Sequence, residues 1–280
     1  MKLLRVGYFG VEKPAILDKK GKIRDLSQHL IDFNPSTLNF ETLEKLKKIN
    51  LDSLPEVPSS ARIGSCVAKP GKFLAVGLNY SDHAADTNAE TPKEPIIFNK
   101  AANCMVGPND NIILPRLSNK LDWEVEIAFI VGKSAKYISE ENAHNHILGY
   151  CIVNDISERE WQIERGGTWD KGKSGDTFGP TGPYLVTKDE LNDVQNLSIS
   201  LDIDGKRMQT GNTKKMIFNM NFILSYLSNF MSLQPGDIVT TGTPPGVGAG
   251  MNPKQFLKAG NKLNLKIEFL GEQNSTVVAE

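Results

Sequence analysis

A mixed, strand-rich α+β fold is predicted for this chain on three observations. From Lys72 onward, short apolar runs are separated by Gly, Pro, Asn and Asp; few stretches carry a helical pattern; and strands and helices do not alternate, which argues against a doubly wound sheet. The predicted strands are Phe73 to Gly77, Ile96 to Phe98, Ile112 to Leu114, Trp123 to Val131, Ile147 to Val153, Tyr184 to Val186, Leu197 to Ile203, Asp237 to Thr241 and Leu263 to Phe269. Two clear helices are expected, over Glu158 to Glu164 and over Met220 to Phe230, the second stopped by Pro235-Gly236. Ahead of these, apolar residues around Val6 to Phe9 and Ala15 to Leu17, the turn Asp18-Lys19-Lys20-Gly21 and Ile23 read as a hairpin. Phe40, Leu43, Leu46 and Leu51 then recur at roughly helical spacing. Leu54 to Arg62, with Pro55, Pro58, Ser59 and Ser60, has linker chemistry. A small accessory domain over 1–62 and a main domain over 63–280 follow. No internal repeat is visible.

Composition narrows the function. The 280 residues carry 33 acidic and 32 basic side chains, a formal charge of −1, which speaks against nucleic acid or a membrane surface as partner. With 39% hydrophobic and 23% charged residues the chain is that of a folded protein. Cys66, Cys104 and Cys151 are odd in number and far apart in the chain, with neither a CxxC pair nor a disulfide framework, and suit a reducing cytoplasm. The start, MKLLRVGYFG, lacks the apolar run of a signal peptide, and no window approaches a membrane span. The expected location is the cytoplasm.

The most informative stretch is Asp122-Trp123-Glu124-Val125-Glu126-Ile127-Ala128-Phe129-Ile130-Val131. In a strand, Trp123, Val125, Ile127, Phe129 and Val131 form one face, while Asp122, Glu124 and Glu126 share the other. Two carboxylates ~6 Å apart at an effective dielectric of ~20 repel by about 3 kcal/mol, or about two pKa units. Two readings are open: an edge strand whose acidic face sits in water, or a site where a cation neutralises it. A second apolar run, Ile147 to Asn154, ends in Asp155, and strand ends are where sites gather. Three carboxylates form the hard-oxygen set that suits magnesium or manganese.

Other residues carry chemistry of their own. In GLNYSDHAAD, His83 and Asp86 share a face if the segment turns helically, so the carboxylate can fix the tautomer of an imidazole acting as base. The plain alternative is a surface histidine beside an acid. TGTPPGVGAG lacks the Gly-Lys-Ser/Thr ending of a phosphate loop, which rejects a nucleotide site. His144 and His146 would share a face only in a strand, whereas Glu140 to His146 reads as helix, so they are not expected as ligands.

DWEVEIAFIVGK, GYCIVNDISEREWQ, KSGDTFGPTGPYLV, GNTKKMIF and TTGTPPGVG occur in the order seen in the fumarylacetoacetate hydrolase family, and the chain resembles that family from about Lys72 to its end. The amino-terminal stretch resembles members described as ureidoglycolate lyases or diketo-deoxy-sugar-acid hydrolases. The resemblance implies a β-roll catalytic domain behind a small N-terminal α+β domain, a homodimer, and a magnesium or manganese ion held by Glu124, Glu126 and Asp155. It implies His83 and Asp86 as the catalytic dyad, where the family usually has Glu in place of Asp86, and Glu90 is a lesser substitute. It implies Lys173 as the ammonium beside a substrate oxygen, and Thr243 with nearby amides as the hold on the substrate carboxylate. Arg159, Gln162 and Gln209 are further candidates for positioning substrate. The implied activity is hydrolysis of a carbon–carbon bond in a small 2,4-diketo acid, giving pyruvate and a second acid. The alternatives use the same metal and enolate without water attack: an oxaloacetate-type decarboxylase, a tautomerase or isomerase, or a ureidoglycolate lyase. A catalytically silent binding module is the rival from another class.

Overall fold

The computed structural model describes residues 1–82 and 92–280. Among these residues a 12-stranded mixed sheet forms the body, a 5-stranded sheet covers part of it, and Leu121–Asp122 pairs with Ser157–Glu158 in a ladder of their own. The large sheet runs from Glu56–Val57 through Ile23–Asp25, Lys13–Leu17, Lys2–Val6, Gly179–Thr187, Ile147–Asn154, Val125–Val131, Ile238–Thr240 and Phe73–Gly77 to Ile96–Asn99. Strands from the first 62 residues therefore continue the sheet of the main body, with Lys2–Val6 pairing antiparallel to Gly179–Thr187.

The carboxylate strand lies in the middle of this sheet. Val125–Val131 pairs antiparallel with Ile147–Asn154 on one side and with Ile238–Thr240 on the other. The reading of an exposed acidic edge is thereby set aside. The sequence has a reason for the central place: after Glu126 every residue to Val131 is apolar, so both faces of that half can be buried, and Ile127 to Val131 are fully buried. Regular pairing starts at Val125 rather than Trp123 because side chains intercept the preceding amides. Trp123 N donates to Asp122 Oδ1 at 2.8 Å and Glu124 N to Asn154 Oδ1 at 3.2 Å.

The smaller sheet, ordered Lys206–Asn212, Ser198–Ile203, Lys262–Ile267, Gly271–Ala279 and Ile112–Leu114, has one wet and one dry face. Ile199, Leu201, Leu263, Leu265 and Ile267 alternate with polar residues and turn inward. Gln273 bolts the two sheets together: its Nε2 donates to the carbonyls of Ile152 at 3.0 Å, Pro180 at 3.2 Å and Gly182 at 3.0 Å.

Helix Met220–Phe230 has the expected bounds; Asn219 caps it by accepting from Phe222 N, and Ile223, Leu224 and Leu227 face the core. The helix expected over Glu158 to Glu164 differs. Ser157–Glu158 is extended, and a wide π-type turn covers Glu160–Glu164. The reason is Glu158, a buried carboxylate that accepts from Lys120 N at 2.9 Å and Trp161 N at 2.8 Å, so it caps the turn from outside it. Among the described residues, no helix is long and apolar enough to cross a membrane.

Replacing Gln273 with Leu leaves three buried carbonyls without their donor. We expect a loss of about 1–3 kcal/mol, read as a lower midpoint in urea unfolding, with the fold otherwise retained.

Candidate active site

Two strands bring the acids together. Because Val125 lies opposite Asn154, the ends of the two strands meet, and Asp155 N donates to the Glu124 carbonyl at 2.9 Å. Glu124 and Glu126 point to one side of their strand, and Asp155 reaches that side from the neighbouring turn. One carboxylate oxygen from each of the three lies within 4.8 Å of the other two, and all three residues are buried. Such a trio can hold a metal ion.

Each carboxylate has one oxygen fixed by the protein. Arg159 Nη2 donates to Glu124 Oε1 at 2.7 Å, and Lys100 Nζ to Asp155 Oδ1 at 2.6 Å. Gly242 N donates to Glu126 Oε2 at 2.9 Å, where the Thr240 hydroxyl also donates. Lys173 Nζ then bridges the other two oxygens, Glu124 Oε2 at 2.6 Å and Asp155 Oδ2 at 2.8 Å, and stacks 5.0 Å above the Phe98 ring. Glu126 Oε1 accepts no hydrogen bond among the described residues.

These contacts set the charge states. Burial opposes ionisation of Glu124, but Lys173 and Arg159 outweigh it and hold its carboxyl down at about 2. Among the described residues no Lys or Arg bonds Glu126; burial and the charges of Asp155 and Glu124 push its pKa up, and the charge of Lys173 offsets this only in part. Burial also disfavours the Lys173 ammonium, yet Asp155 and Glu124 raise its pKa, so it stays charged.

Asp122, expected on the same face as the glutamates, is spent elsewhere. It accepts from Arg159 Nε at 2.8 Å, Gly248 N at 2.7 Å and Ala249 N at 2.9 Å, in addition to Trp123 N. The glycine-rich loop thus wraps a carboxylate of the protein itself. A Cβ on Gly248 would lie 1.9 Å from the Gln255 carbonyl oxygen, so only glycine permits the approach.

Above the acids lies a cavity of about 290 Å³, near the lower end for small-molecule sites. Glu124, Glu126, Arg159, Gln162, Lys173 and Thr243 supply its polar lining.

Comparisons with known proteins give the family and the fold. The profile described as "Fumarylacetoacetate (FAA) hydrolase C-terminal" matches residues 72–278. The chain belongs to the fumarylacetoacetate hydrolase family. A curated relative from Burkholderia ambifaria, named "Putative hydrolase", is 53% identical over 274 residues, covering 98% of this chain and 97% of the relative. The fumarylacetoacetate hydrolase of Exiguobacterium antarcticum superposes with a TM-score of 0.87 at 31% identity, covering 100% of both chains. A maleylpyruvate hydrolase from Sphingobium sp. SYK-6, solved with manganese(II) and pyruvate, has a TM-score of 0.84 at 25% identity, covering 100% of this chain and 99% of that one. A 5-carboxymethyl-2-hydroxymuconate delta-isomerase from Mycobacterium smegmatis has a TM-score of 0.81 at 26% identity, covering 100% of both.

Within this member of the family, the expected site residues fall into three groups. Glu124, Asp155, Lys173 and Arg159 form one hydrogen-bonded cluster with the Glu126 carboxylate beside it, and Gln162 joins by accepting from Arg159 Nη1 at 3.0 Å. Thr243 lines the cavity, but its hydroxyl donates to the Val125 carbonyl at 2.9 Å and accepts from Gln209 Nε2 at 2.8 Å. Gln209 is fully buried away from the cavity and completes a bolt by accepting from Val125 N at 3.0 Å. It supports Thr243 and the strand rather than meeting a ligand directly. His83, Asp86 and Glu90 lie outside the described residues. His146 Nδ1 meets the carbonyl of Ser134 at 2.9 Å, and His144 Nδ1 that of Glu141 at 3.0 Å.

Sequence reasoning missed Lys100. It follows the strand Ile96–Asn99 as an ordinary charged residue, and its only signal is an apolar run ending in a lysine. Its side chain is fully buried and also bonds the Lys173 carbonyl, tying two elements of the cluster together. We expect Lys100→Met to cost about 3–5 kcal/mol in denaturant unfolding with chelator present. The double variant with Asp155→Asn should be less destabilised than the two single losses added together, since the charge left unpaired is removed.

Proposed function

We propose that the protein hydrolyses a carbon–carbon bond of a small 2,4-diketo acid, with a magnesium or manganese ion held by Glu124, Glu126 and Asp155. The observation that carries this reading is the convergence of three buried carboxylates, two of which, Glu124 and Glu126, line a small cavity. An all-oxygen, multiply charged donor set suits a hard cation better than it suits zinc. The manganese and pyruvate bound by the maleylpyruvate hydrolase support the ion class and the product class.

When bound, the cation supplies Lewis acidity toward the substrate carboxylate and 2-keto oxygen. The residues do the rest. His83, aligned by Asp86, takes a proton from water so that its oxygen adds to C4. The Lys173 ammonium stabilises negative charge on the C4 oxygen. The C3–C4 bond then breaks, C3 takes up a proton, and pyruvate leaves with the acid formed at C4; one water is consumed and no oxidant is needed. Arg159 holds the Gln162 carboxamide oxygen, which leaves the carboxamide nitrogen to donate to substrate beside Thr243. In this reading the protein acts as a homodimer in the cytoplasm.

A second reading, enolate chemistry without water attack, draws on the isomerase among the structural neighbours. Product analysis separates the two: hydrolysis yields pyruvate plus a second acid, decarboxylation yields carbon dioxide, and isomerisation yields neither.

Three outcomes test the proposal. Chelation should abolish turnover, and magnesium or manganese should restore it. His83→Ala should lower kcat by about 10² to 10⁴-fold while cation binding, followed by calorimetry, is kept. Because burial and the neighbouring carboxylates raise the pKa of Glu126, cation binding should release a proton and weaken as pH falls. Calorimetry in buffers of different ionisation enthalpy reads that proton; no release would remove Glu126 from the ligand set.

A further inference from the structure

A second and larger cavity, of about 690 Å³, is within the size range of small-molecule sites. It shares no lining residue with the cavity above the acids: Trp123 lines the second cavity, and Glu124, the next residue, lines the first. Its floor is apolar. Trp123 and Leu257 are buried there, Phe256 and Met208 are half-buried, and the Trp123 indole N–H is given to the Gly246 carbonyl at 3.1 Å, so the ring has only hydrocarbon left to offer.

The rim is positive. Lys206, Lys254 and Lys258 line the cavity with exposed side chains, and among the described residues none of the three has an ion-pair partner. One carboxylate, Asp204, also lines it, but both of its oxygens are engaged: Oδ1 accepts from Lys262 N at 2.9 Å and Oδ2 from Asn261 Nδ2 at 2.7 Å. The lysines come from two stretches of chain, and the stretch that carries two of them is anchored. Gln255 N donates to the Gly248 carbonyl at 3.1 Å, Leu257 N to the Leu121 carbonyl at 2.7 Å and Lys258 N to Asn261 Oδ1 at 2.7 Å. Lys206 meets them from the first residue of the strand Lys206–Asn212. Ammonium groups gathered over one cavity repel one another, and an anion relieves that repulsion. The floor sets a second requirement, because covering Trp123, Phe256 and Leu257 takes hydrocarbon rather than an inorganic ion.

We propose that this cavity is a second binding site, for a small organic anion that carries at least two negative charges on an apolar body. Phosphate and carboxylate oxygens serve the lysines alike, since an ammonium binds either as a point charge. The assignment is independent of the reaction at the acidic cluster.

The test is calorimetric titration of the full chain without added divalent cation, so that the acidic cluster repels anions instead of chelating through a metal. 1-Naphthyl phosphate and naphthalene-1,4-dicarboxylate carry both features; inorganic phosphate has the charge alone, and 1-naphthol the body alone. At least one naphthalene anion should bind with a Kd on the order of 0.1 mM at low ionic strength, about 10-fold or more tighter than either single-feature probe, and weaken as salt is raised. The tighter of the two tells whether phosphate or carboxylate is preferred. Lys206→Glu/Lys254→Glu/Lys258→Glu should weaken that binding by about 10-fold or more, with Gln at the same three positions falling between. All three side chains are exposed, so urea midpoints should stay near that of the parent, and the Gln variant decides the matter if the Glu variant unfolds. Charge reversal at Lys13, Lys48 and Lys133, which are exposed and outside the cavity, changes the net charge equally and should leave the Kd within about twofold. Three results overturn the proposal: naphthalene anions that bind no better than phosphate or 1-naphthol, cavity variants that keep the parent affinity, or equal weakening by the Lys13, Lys48 and Lys133 reversals.

Discussion

Four carboxylates, those of Asp122, Glu124, Glu126 and Asp155, are enclosed where two central strands end side by side, and among the described residues three cations, Lys100, Arg159 and Lys173, are enclosed with them. Taking like charges out of water is among the most costly things a fold can do, and the excess must be met by hydrogen bonds, by a proton or by an added cation. Much of the surrounding architecture follows from that constraint. Each cation comes from a different stretch of chain, and each reaches the acids only because the fold brings those stretches together. Lys173 and Arg159 hold the pKa of Glu124 down, whereas burial and the neighbouring carboxylates push that of Glu126 up.

The way the acids are held bears on chemistry as well as stability. One oxygen of each carboxylate is committed to a fixed donor, so the partner oxygen cannot swing freely. Amides of the glycine-rich loop serve this purpose at Glu126 and Asp122, which explains glycines that a phosphate-binding role does not. A site whose charges and dipoles are fixed before any ligand arrives needs little reorganisation during reaction, the usual source of electrostatic catalysis. Gln209 and Gln273 act one layer further out: the first braces Thr243 and Val125, and the second joins the sheets that enclose the site.

How much of this was legible depended on whether the information was local. The alternation in DWEVEIAFIV, the apolar run ending at Asp155 and the amphipathic helix Met220–Phe230 are short-range patterns, and each is found where periodicity put it. The start of regular pairing at Val125 and the wide turn at Glu160–Glu164 were not legible, because Asp122, Asn154 and Glu158 intercept backbone amides with side chains whose targets periodicity does not specify. The motifs of the family supplied Lys173 and Thr243, which spacing alone left among ordinary loop residues.

From its residues alone, the chain determined which side chains alternate on a strand, where apolar runs end in acids, and that no clear nitrogen or sulfur ligand set competes with those acids. Tertiary structure decided that the acidic face is buried rather than wet, that Lys100 belongs to the cluster, and that Asp122 turns to Arg159 and the glycine-rich loop rather than to the other three acids. The physical reason is that dielectric surroundings and charge pairing depend on residues distant in the chain: Lys100 and Asp155 meet only because the turn after one strand and the end of another converge on the same enclosed volume.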